Sequence, residues 1–332
     1  MAYIRVDKIF YHPEIVNNWL EKKKVTPITI ELHLTNKCNI KCNYCFFKDR
    51  HNSDTLSTED AKMIIDDFVR MGVKGLILSG GGEPTMHKEF KSIVKYAYAV
   101  GLDIGLITNG VIYPDVLKYL TWVRFSLDTF DKDIYKKIKG VNKFYQVENN
   151  IKKVIRTKLK NGLKVTIGIQ MVVTEENYKD IIPMYEYVHI CGADYFQFRP
   201  LENASYPNYV WKDIFDTLYF FSVNKNKIMV LTTQNKWDEI TGTTKKTYKG
   251  CPGADLIGAV DAKGDFYMCC HFVQDETAKY GNMIDDTIGK ILKNRKNIQD
   301  NFDYSKCPIA CRASTINTGL DNFKKIEHVN FL

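Results

Sequence analysis

Residues 28 to 200 alternate between short strand-like segments and longer segments with the periodicity of amphipathic helices. Most of the strand-like segments are apolar and rich in β-branched or aromatic residues, as expected for strands covered on both faces. They comprise residues 28–34, 75–79, 102–108, 122–127, 163–173 and 194–199. Consecutive strand–helix units predict parallel strands joined by right-handed crossovers. Periodicity alone leaves open whether the sheet is an open, doubly wound one or a barrel.

The helices between these strands carry clear start and stop signals. Ser57 is a good N-cap with Asp60 three residues later, and Gly72 supplies a residue suited to ending that helix. The helix predicted at residues 88–100 ends in the same way at Gly101. In either kind of parallel sheet, functional residues are expected in the loops after the carboxyl ends of the strands.

The segments outside the alternating region carry weaker signals. Residues 13–23 predict an amphipathic helix that caps one end of the sheet or barrel, and residues 210–223 predict another helix. Residues 236–249 are polar and predict a linker, whereas residues 256–260 and 265–268 predict short strands. No apolar run approaches the roughly 20 residues that span a bilayer, and the N-terminus lacks the layout of a signal peptide. We therefore expect a cytoplasmic protein without a membrane partner.

The formal net charge of +8 comes from lysines spread along the chain. A solvated surface explains this charge best, and an anionic substrate or an acidic partner is the remaining explanation. A nucleic-acid partner is not expected, because the interleaved basic and aromatic pattern of such surfaces is lacking.

Nine cysteines in a chain without secretion signals indicate metal ligands or catalytic groups more than disulfides. Three of them, Cys38, Cys42 and Cys45, follow the first predicted strand with the spacing C-x3-C-x2-C. Three thiolates this close can converge on one soft metal centre and leave one of its positions open. A zinc site is the alternative, with His51 as a fourth ligand.

The three cysteines, with Tyr44 directly before the last one, resemble the signature of the radical S-adenosylmethionine (SAM) superfamily. The resemblance implies a 4Fe–4S cluster on Cys38, Cys42 and Cys45, with SAM chelating the fourth iron. It also implies that a reductant such as flavodoxin or ferredoxin supplies an electron that cleaves SAM to a 5′-deoxyadenosyl radical. That radical would then abstract a hydrogen atom from the substrate, while the protein places the reactants and excludes water.

Polar residues at later strand ends fit the same resemblance. The glycine run at residues 80–82 allows close backbone approach and resembles the family segment that contacts the amino group of SAM. Arg199 is suited to clamping a carboxylate. The cofactor-binding candidates are Tyr44, Gly80, Gly81, Gly82, Glu83, Asn109, Ser126, Asp128, Gln170 and Arg199.

A second cysteine group lies near the C-terminus. Cys251 and Cys269, with Gly264 five positions before Cys269, resemble the opening of the auxiliary-cluster regions called SPASM and twitch domains. The resemblance implies an auxiliary 4Fe–4S cluster completed by Cys307 and Cys311, although twitch regions often close with C-x2-C rather than C-x3-C. A structural zinc ribbon is the alternative.

One further cysteine in this region is surplus to a four-ligand site. Cys270 is a candidate catalytic residue that donates a hydrogen atom to a substrate radical, and a buried structural thiol or a replacement ligand are the alternatives. The neighbouring His271 and the isolated Cys191 are expected to be structural.

Together with the six strands, the resemblance implies an α/β fold: a partial (β/α)6 TIM-like barrel with a small C-terminal iron–sulfur auxiliary domain. The expected division is an N-terminal helical cap at residues 1–27 and a radical SAM partial barrel at residues 28–205. A helix and linker follow at residues 206–250, and a twitch- or SPASM-like auxiliary domain occupies residues 251–332.

The expected function is a radical SAM oxidoreductase or epimerase acting on a small polar, carbohydrate-like metabolite. The polar candidates for lining its site are Asp128, Gln170, Gln197, Arg199 and Glu202. A peptide-modifying maturase is the alternative, slightly disfavoured because 27 residues are too few for a separate peptide-recognition domain. More distant alternatives are a non-catalytic iron–sulfur protein and a zinc-binding protein.

Overall fold

The computed structural model of the chain describes residues 6–202, 205–323 and 325. The strands found in this part of the chain all belong to one sheet. They are β1 (Thr29–Leu32), β2 (Gly75–Leu78), β3 (Asp103–Thr108), β4 (Trp122–Ser126), β5 (Thr166–Val173), β6 (Tyr195–Pro200), β7 (Met229–Leu231), β8 (Ile257–Val260), β9 (Asp265–Tyr267) and β10 (Lys279–Asn282).

The helices follow the strands in the alternating order expected from the sequence. They are α1 (Pro13–Leu20), α2 (Thr58–Met71), α3 (Phe90–Ala99), α4 (Lys132–Lys139), α5 (Phe144–Lys160), α6 (Ile181–Cys191), α7 (Asn208–Val223), α8 (Gln234–Ile240), α9 (Ile288–Asn301) and α10 (Ser314–Phe323). The predicted start of α2 is confirmed, because Ser57 Oγ accepts a hydrogen bond from the Asp60 amide at 3.0 Å. Gly72 ends this helix with a left-handed φ of +85°.

The sheet order is β10-β9-β8-β1-β2-β3-β4-β5-β6-β7. The neighbours from β8 through β1 to β7 are parallel, and β9 and β10 are antiparallel to their neighbours. Within the described residues β7 and β10 are edge strands, so the sheet is not a closed barrel. The expected α/β fold with a partial barrel of parallel strands is confirmed.

Two features between residues 206 and 250 differ from the sequence interpretation. The short strand β7 adds to the edge of β6, and α8 occupies the start of the predicted linker. Trp237 explains the helix: its ring is fully buried, and its indole N–H donates to the Thr232 carbonyl at 2.7 Å. One buried aromatic residue therefore orders a segment whose composition is polar.

The C-terminal segment continues the sheet rather than forming a separate one. Strand β8 pairs with β1 in parallel register, so that Glu31 faces Ala259 across the two strands. The C-terminal part of the chain thereby becomes a neighbour of β1, whose following loop carries the first cysteine group. The second cysteine group lies outside this pair of strands: Cys251 precedes β8, and its other members follow β9.

None of the helices in the described ranges is both long enough and apolar enough to cross a bilayer.

Two glycines allow a test of how tightly the sheet is packed. A Cβ on Gly105 of β3 would lie 2.1 Å from the Trp122 ring, whereas a Cβ on Gly289 of α9 would meet nothing within 4 Å. We expect Gly105→Ala to lower the free energy of unfolding by about 3 kcal/mol, because the ring has to move. Gly289→Ala should raise it by about 0.5 kcal/mol, because alanine restricts the unfolded chain. Anaerobic urea unfolding measures both values, and equal stability of the two variants would contradict this packing.

Candidate active-site cavity

Alternate residues of the parallel strands face the concave side of the sheet and enclose a cavity of about 1320 Å³. This exceeds the roughly 300–1,000 Å³ of most small-molecule sites, so a cofactor and a substrate have room together. The inward positions from β1 to β6 include Thr29, Glu31, Gly75, Ile77, Gly105, Ile107, Arg124, Ser126, Gln170, Val172, Gln197 and Arg199. The cavity is therefore the candidate active site.

The loop after β1 carries the first cysteine group into this cavity. Cys38, Cys42 and Cys45 all line it, and the Cys45 amide donates to the Cys42 carbonyl at 3.2 Å. Burial raises the pKa of Cys38 to about 11 and also raises the pKa values of Cys42 and Cys45. The three thiols are therefore protonated at neutral pH unless a metal centre displaces their protons.

The zinc alternative for this loop requires His51. Its Nε2 lies 3.9 Å from Cys45 Sγ, and burial lowers the pKa of its ring. Among the described residues, no three or more His, Cys, Asp and Glu side chains converge as a single metal ion needs.

A buried lysine anchors the cysteine loop. Lys139, the last residue of α4, places Nζ 2.7 Å from Asp128 Oδ2 and donates to Tyr44 Oη at 2.9 Å. Tyr44 in turn donates to Asp128 Oδ2 at 2.5 Å. The Lys41 amide also donates to the Lys139 carbonyl at 2.9 Å. The end of α4 and the start of the loop after β4 thus hold the loop from behind.

Asp128 acts inside this cluster rather than at the cavity. Its carboxylate is fully buried and also accepts from the Val172 amide at 2.9 Å, whereas Tyr44 and Lys139 line the cavity. Burial alone would lower the pKa of Lys139, but the Asp128 carboxylate holds it well above its ordinary value. The oxygens of Asp128 are occupied by the groups that it positions, and contact between Asp128 and the cofactor stays a prediction.

The glycine run lies against the entry to the cysteine loop. The Gly82 amide donates to the Thr35 carbonyl at 2.9 Å, and a Cβ on Gly82 would lie 2.0 Å from the Lys37 carbonyl oxygen. Gly80 and Gly81 have φ of +51° and +62°, a region that favours glycine. All three glycines line the cavity. Their first structural role is to let the two loops approach each other.

Glu83 and Asn109 extend this support to the next loop. The buried Glu83 carboxylate accepts from Thr85 Oγ1 at 2.6 Å, from Thr108 Oγ1 at 2.7 Å and from the Asn109 amide at 2.7 Å. Asn109 Nδ2 donates to Asn39 Oδ1 in the cysteine loop at 2.7 Å. Both predicted residues line the cavity and connect the loops after β1, β2 and β3.

The remaining polar candidates form a row across three strands. Ser126, Gln170 and Gln197 are register partners on β4, β5 and β6, and all three line the cavity. Gln197 Oε1 accepts from Arg124 Nη1 at 3.0 Å. Arg199 lies two positions after Gln197 on β6, and its Nη1 is 3.4 Å from Glu202 Oε1.

The second cysteine group is assembled from three distant segments and does not line the cavity. Electrostatic repulsion from Cys307 and Cys311 raises the pKa of the Cys251 thiol. Repulsion from Cys251 and Cys311 likewise raises the pKa of the Cys269 thiol. Burial is the largest cause and raises the pKa of Cys251 to about 12. Asn317 Nδ2 donates to Cys251 Sγ at 3.5 Å. The four thiols therefore interact electrostatically, and thiols are the donors from which iron–sulfur clusters take their ligands.

Cys270 faces the opposite way from its neighbour Cys269 and lines the cavity. Arg312 Nη1 donates to Cys270 Sγ at 3.0 Å and to Glu31 Oε2 at 2.5 Å. His33 Nε2 donates to Glu31 Oε1 at 3.0 Å. The thiol therefore lies at the cavity wall and is held there by a half-buried arginine.

Several cavity residues were missed by sequence reasoning, among them Glu31, Lys139, Lys236 and Arg312. Of these four residues, Arg312 could most easily have been found from the sequence, because it directly follows the predicted ligand Cys311. Lys139 and Lys236 lie among other lysines, and nothing in the sequence marks them as buried. Burial, together with the nearby Arg199 cation, lowers the pKa of Lys236 to about 8.

The chemistry of these donors fits the cofactors that the resemblance implies. Three soft thiols on one loop suit a cluster with one open corner, and the four grouped thiols suit an auxiliary cluster. The cavity beside the first loop offers the cation of Lys139 and the hydroxyl of Ser126 to a zwitterionic ligand.

Residues 32–188 match the family model of the radical SAM superfamily. An S-adenosylmethionine-dependent nucleotide dehydratase of Selenomonas ruminantium is 43% identical over 81 residues, which are 24% of this chain and 29% of that protein. The mycofactocin maturase MftC of Mycolicibacterium smegmatis is 28% identical over 82% of this chain and 71% of that protein. SuiB of Streptococcus suis, in its structure bound to S-adenosylmethionine, shares the fold with a TM-score of 0.67 and 16% identity, over 93% of this chain and 76% of that one.

The domain at residues 32–188 thus belongs to the radical SAM superfamily, and SAM with a 4Fe–4S cluster are the cofactors of that superfamily. The four C-terminal cysteines agree with an auxiliary cluster. The chain spans only 29%, 48% and 60% of the length of three of the curated relatives that it matches.

The buried pair of Asp128 and Lys139 behind the cysteine loop predicts how substitutions change the free energy of unfolding. We expect Lys139→Met to lower the free energy of unfolding by about 3–5 kcal/mol, because it leaves the Asp128 carboxylate buried without a cation. The double variant Asp128→Asn/Lys139→Met should recover at least about half of that loss. Lys136→Met, at an exposed position of the same helix, should change stability by less than about 0.5 kcal/mol. Urea unfolding measures all three, and a double variant no more stable than Lys139→Met would contradict the pairing.

Proposed function

We propose that this chain is a radical SAM enzyme that modifies a peptide. The observation that carries the proposal is the placement of Cys38, Cys42 and Cys45 on the wall of a cavity large enough for SAM and a substrate. In this proposal the three thiols hold a 4Fe–4S cluster, and Cys251, Cys269, Cys307 and Cys311 hold an auxiliary one.

When bound, the cluster and SAM supply a 5′-deoxyadenosyl radical. The residues of the chain place the reactants: Tyr44 and Lys139 fix the cysteine loop, and Lys139 and Ser126 offer a cation and a hydroxyl to the carboxylate of SAM. Gly80, Gly81 and Gly82 bring backbone close to the same loop. The inward faces of the strands exclude water from the radical, which protects it from side reactions.

A peptide substrate is supported by two of the similarities. The similarity to MftC, whose name describes a maturase, covers 82% of the chain described here and 71% of MftC. SuiB, whose fold the chain shares with a TM-score of 0.64, was solved bound to its precursor peptide SuiA. The sequence-based preference for a carbohydrate-like metabolite has less support, since it rests on the polar lining candidates alone, which are Asp128, Gln170, Gln197, Arg199 and Glu202.

Cys270 distinguishes two outcomes of hydrogen abstraction. If its thiol gives a hydrogen atom to the substrate radical, the product is an epimer and the sulfur is left as a thiyl radical, which the reductant must then reduce with uptake of a proton. If Cys270 does not react, the substrate radical would lose a proton and pass one electron to the proposed auxiliary cluster, and the product would be oxidised. The position of the thiol on the cavity wall supports the first role.

Metal content tests the ligand assignment. We expect about eight irons and eight sulfides per chain in anaerobically reconstituted protein, because two 4Fe–4S clusters are bound. Cys42→Ser should retain about four irons, and so should the double variant Cys307→Ser/Cys311→Ser, because each removes ligands of one cluster only. Cys191→Ser, the matched control at the end of α6, should retain about eight.

Iron and sulfide analysis with electron paramagnetic resonance of the reduced proteins measures these values. Zinc without iron in the wild-type protein, or full iron content in Cys42→Ser, would contradict the assignment.

The substrate class is tested by deuterium transfer. Cells of the source organism grown in D₂O supply two substrate mixtures, a short-peptide fraction and a peptide-free metabolite fraction. We expect the reduced enzyme to convert SAM into deuterated 5′-deoxyadenosine with the peptide fraction only, because the radical takes its hydrogen atom from the substrate. Mass spectrometry of the nucleoside measures the label, and protease treatment of the peptides should remove it.

Cys42→Ser is the negative control and should form at least about a hundredfold less 5′-deoxyadenosine. Label from the metabolite fraction alone, unaffected by protease, would overturn the peptide assignment and leave the radical chemistry standing.

A further inference from the structure

Three cations from separate segments meet on one part of the cavity wall. Arg199 on β6, Lys236 on α8 and Arg312 just before α10 all line the cavity. Their side chains are 25%, 10% and 28% exposed, so each is largely withdrawn from solvent. Arg199 Nη1 and Lys236 Nζ lie 3.4 and 3.8 Å from the same oxygen, Glu202 Oε1. Arg312 donates to Cys270 Sγ at 3.0 Å, and the next residue, His271, hydrogen-bonds to the other oxygen of Glu202.

The carboxylates nearby are already shared. Glu31 accepts hydrogen bonds from both Arg312 and His33, so it neutralises the arginine. Glu202 accepts from His271 Nε2 at 2.9 Å and pairs with Arg199 at 3.4 Å. Glu31 therefore serves partners other than the lysine, and Glu202 is shared among His271, Arg199 and Lys236.

Lys236 is the cation left with the weakest pairing. Its Nζ lies 3.8 Å from Glu202 Oε1, and it donates no hydrogen bond to any residue in the described part of the chain. Glu239, one turn further along α8, is within electrostatic range of Lys236, which lowers its pKa against the effect of burial, but no hydrogen bond joins the two side chains in the described residues. An ammonium this buried is costly unless an anion that hydrogen-bonds to it enters the cavity.

We propose that Arg199, Lys236 and Arg312 form a subsite that binds a carboxylate of the substrate. The proposal rests on the proposed function, since it names how the peptide is held in the same cavity. The guanidinium groups supply paired donors for the two carboxylate oxygens, and the ammonium adds a third charge-assisted hydrogen bond. The carboxylate comes from the C-terminus of a peptide or from an acidic side chain.

The carboxylate of SAM is the competing ligand, and the structure separates the two. Lys139 Nζ lies 2.7 Å from Asp128 Oδ2 and donates to Tyr44 Oη at 2.9 Å, directly behind the first cysteine loop. Lys236 Nζ instead lies 3.8 Å from Glu202 Oε1, and the same carboxylate accepts from His271, the residue after Cys270. The two lysines therefore share no partner on the cavity wall.

Four capped peptides test the subsite on the reconstituted, SAM-bound protein. The first pair is N-acetyl-trialanine with a free C-terminal carboxylate and its C-terminal amide. The second pair is N-acetyl-Ala-Glu-Ala-amide and N-acetyl-Ala-Gln-Ala-amide. We expect the acid of at least one pair to bind about tenfold tighter than its amide in calorimetric titrations, which is about 1.4 kcal/mol. The pair that discriminates identifies the source of the carboxylate.

Variants connect that discrimination to the cations. Lys236→Met should abolish the preference for the acid, Lys236→Arg should restore most of it, and Lys212→Met on the exposed face of α7 should leave it unchanged. Circular dichroism and SAM affinity confirm that each variant is folded and that the SAM site is intact.

Equal binding of acid and amide in both pairs, or no binding of any of the four peptides at about 10 mM, would overturn the subsite. A preference that survives in Lys236→Met would do the same. If Lys236→Met loses SAM affinity instead, the cations serve the cofactor and the proposal is wrong. In each of these cases, transfer of deuterium from the peptide fraction to 5′-deoxyadenosine by the wild-type protein shows that the proposed function still stands.

Discussion

The structure depends first on the ion pair between Asp128 and Lys139, buried behind the cysteine loop. A carboxylate and an ammonium withdrawn from water attract each other strongly, and each would be costly to bury alone. Because Tyr44 is hydrogen-bonded to both, the pair ties the loop after β1 to the loop after β4 and to the end of α4. The three cysteines are therefore held on a rigid support rather than on a loose loop.

Close backbone approach provides the second constraint. Gly82 leaves no room for a side chain against the Lys37 carbonyl, so the loops after β1 and β2 lie directly on each other. Glu83 and Asn109 extend the same support to the loop after β3. The curvature of the open sheet then leaves a cavity rather than a packed core. The wall of this cavity includes the cations of Arg199, Lys236 and Arg312.

Much of the architecture could be predicted from the sequence, because it depends on local patterns. The six strands, the caps of α2 and the C-x3-C-x2-C loop were all predicted with nearly correct bounds. The strand β7 was missed because three residues are too few for a periodic signal. The contacts of Asp128 could not be predicted because its partners, Tyr44 and Lys139, are 84 and 11 residues away along the chain.

The sequence by itself determined the chemistry that the chain can carry: which residues are soft donors, how they are spaced, and which segments form strands. Only the tertiary structure decided which charges face the cavity. Arg199, Lys236 and Arg312 come from three separate segments, and sequence spacing says nothing about a meeting produced by the curvature of the sheet. Burial decided which of the lysines need a partner, because an ordinary lysine differs from one that requires a partner only in how much water surrounds it.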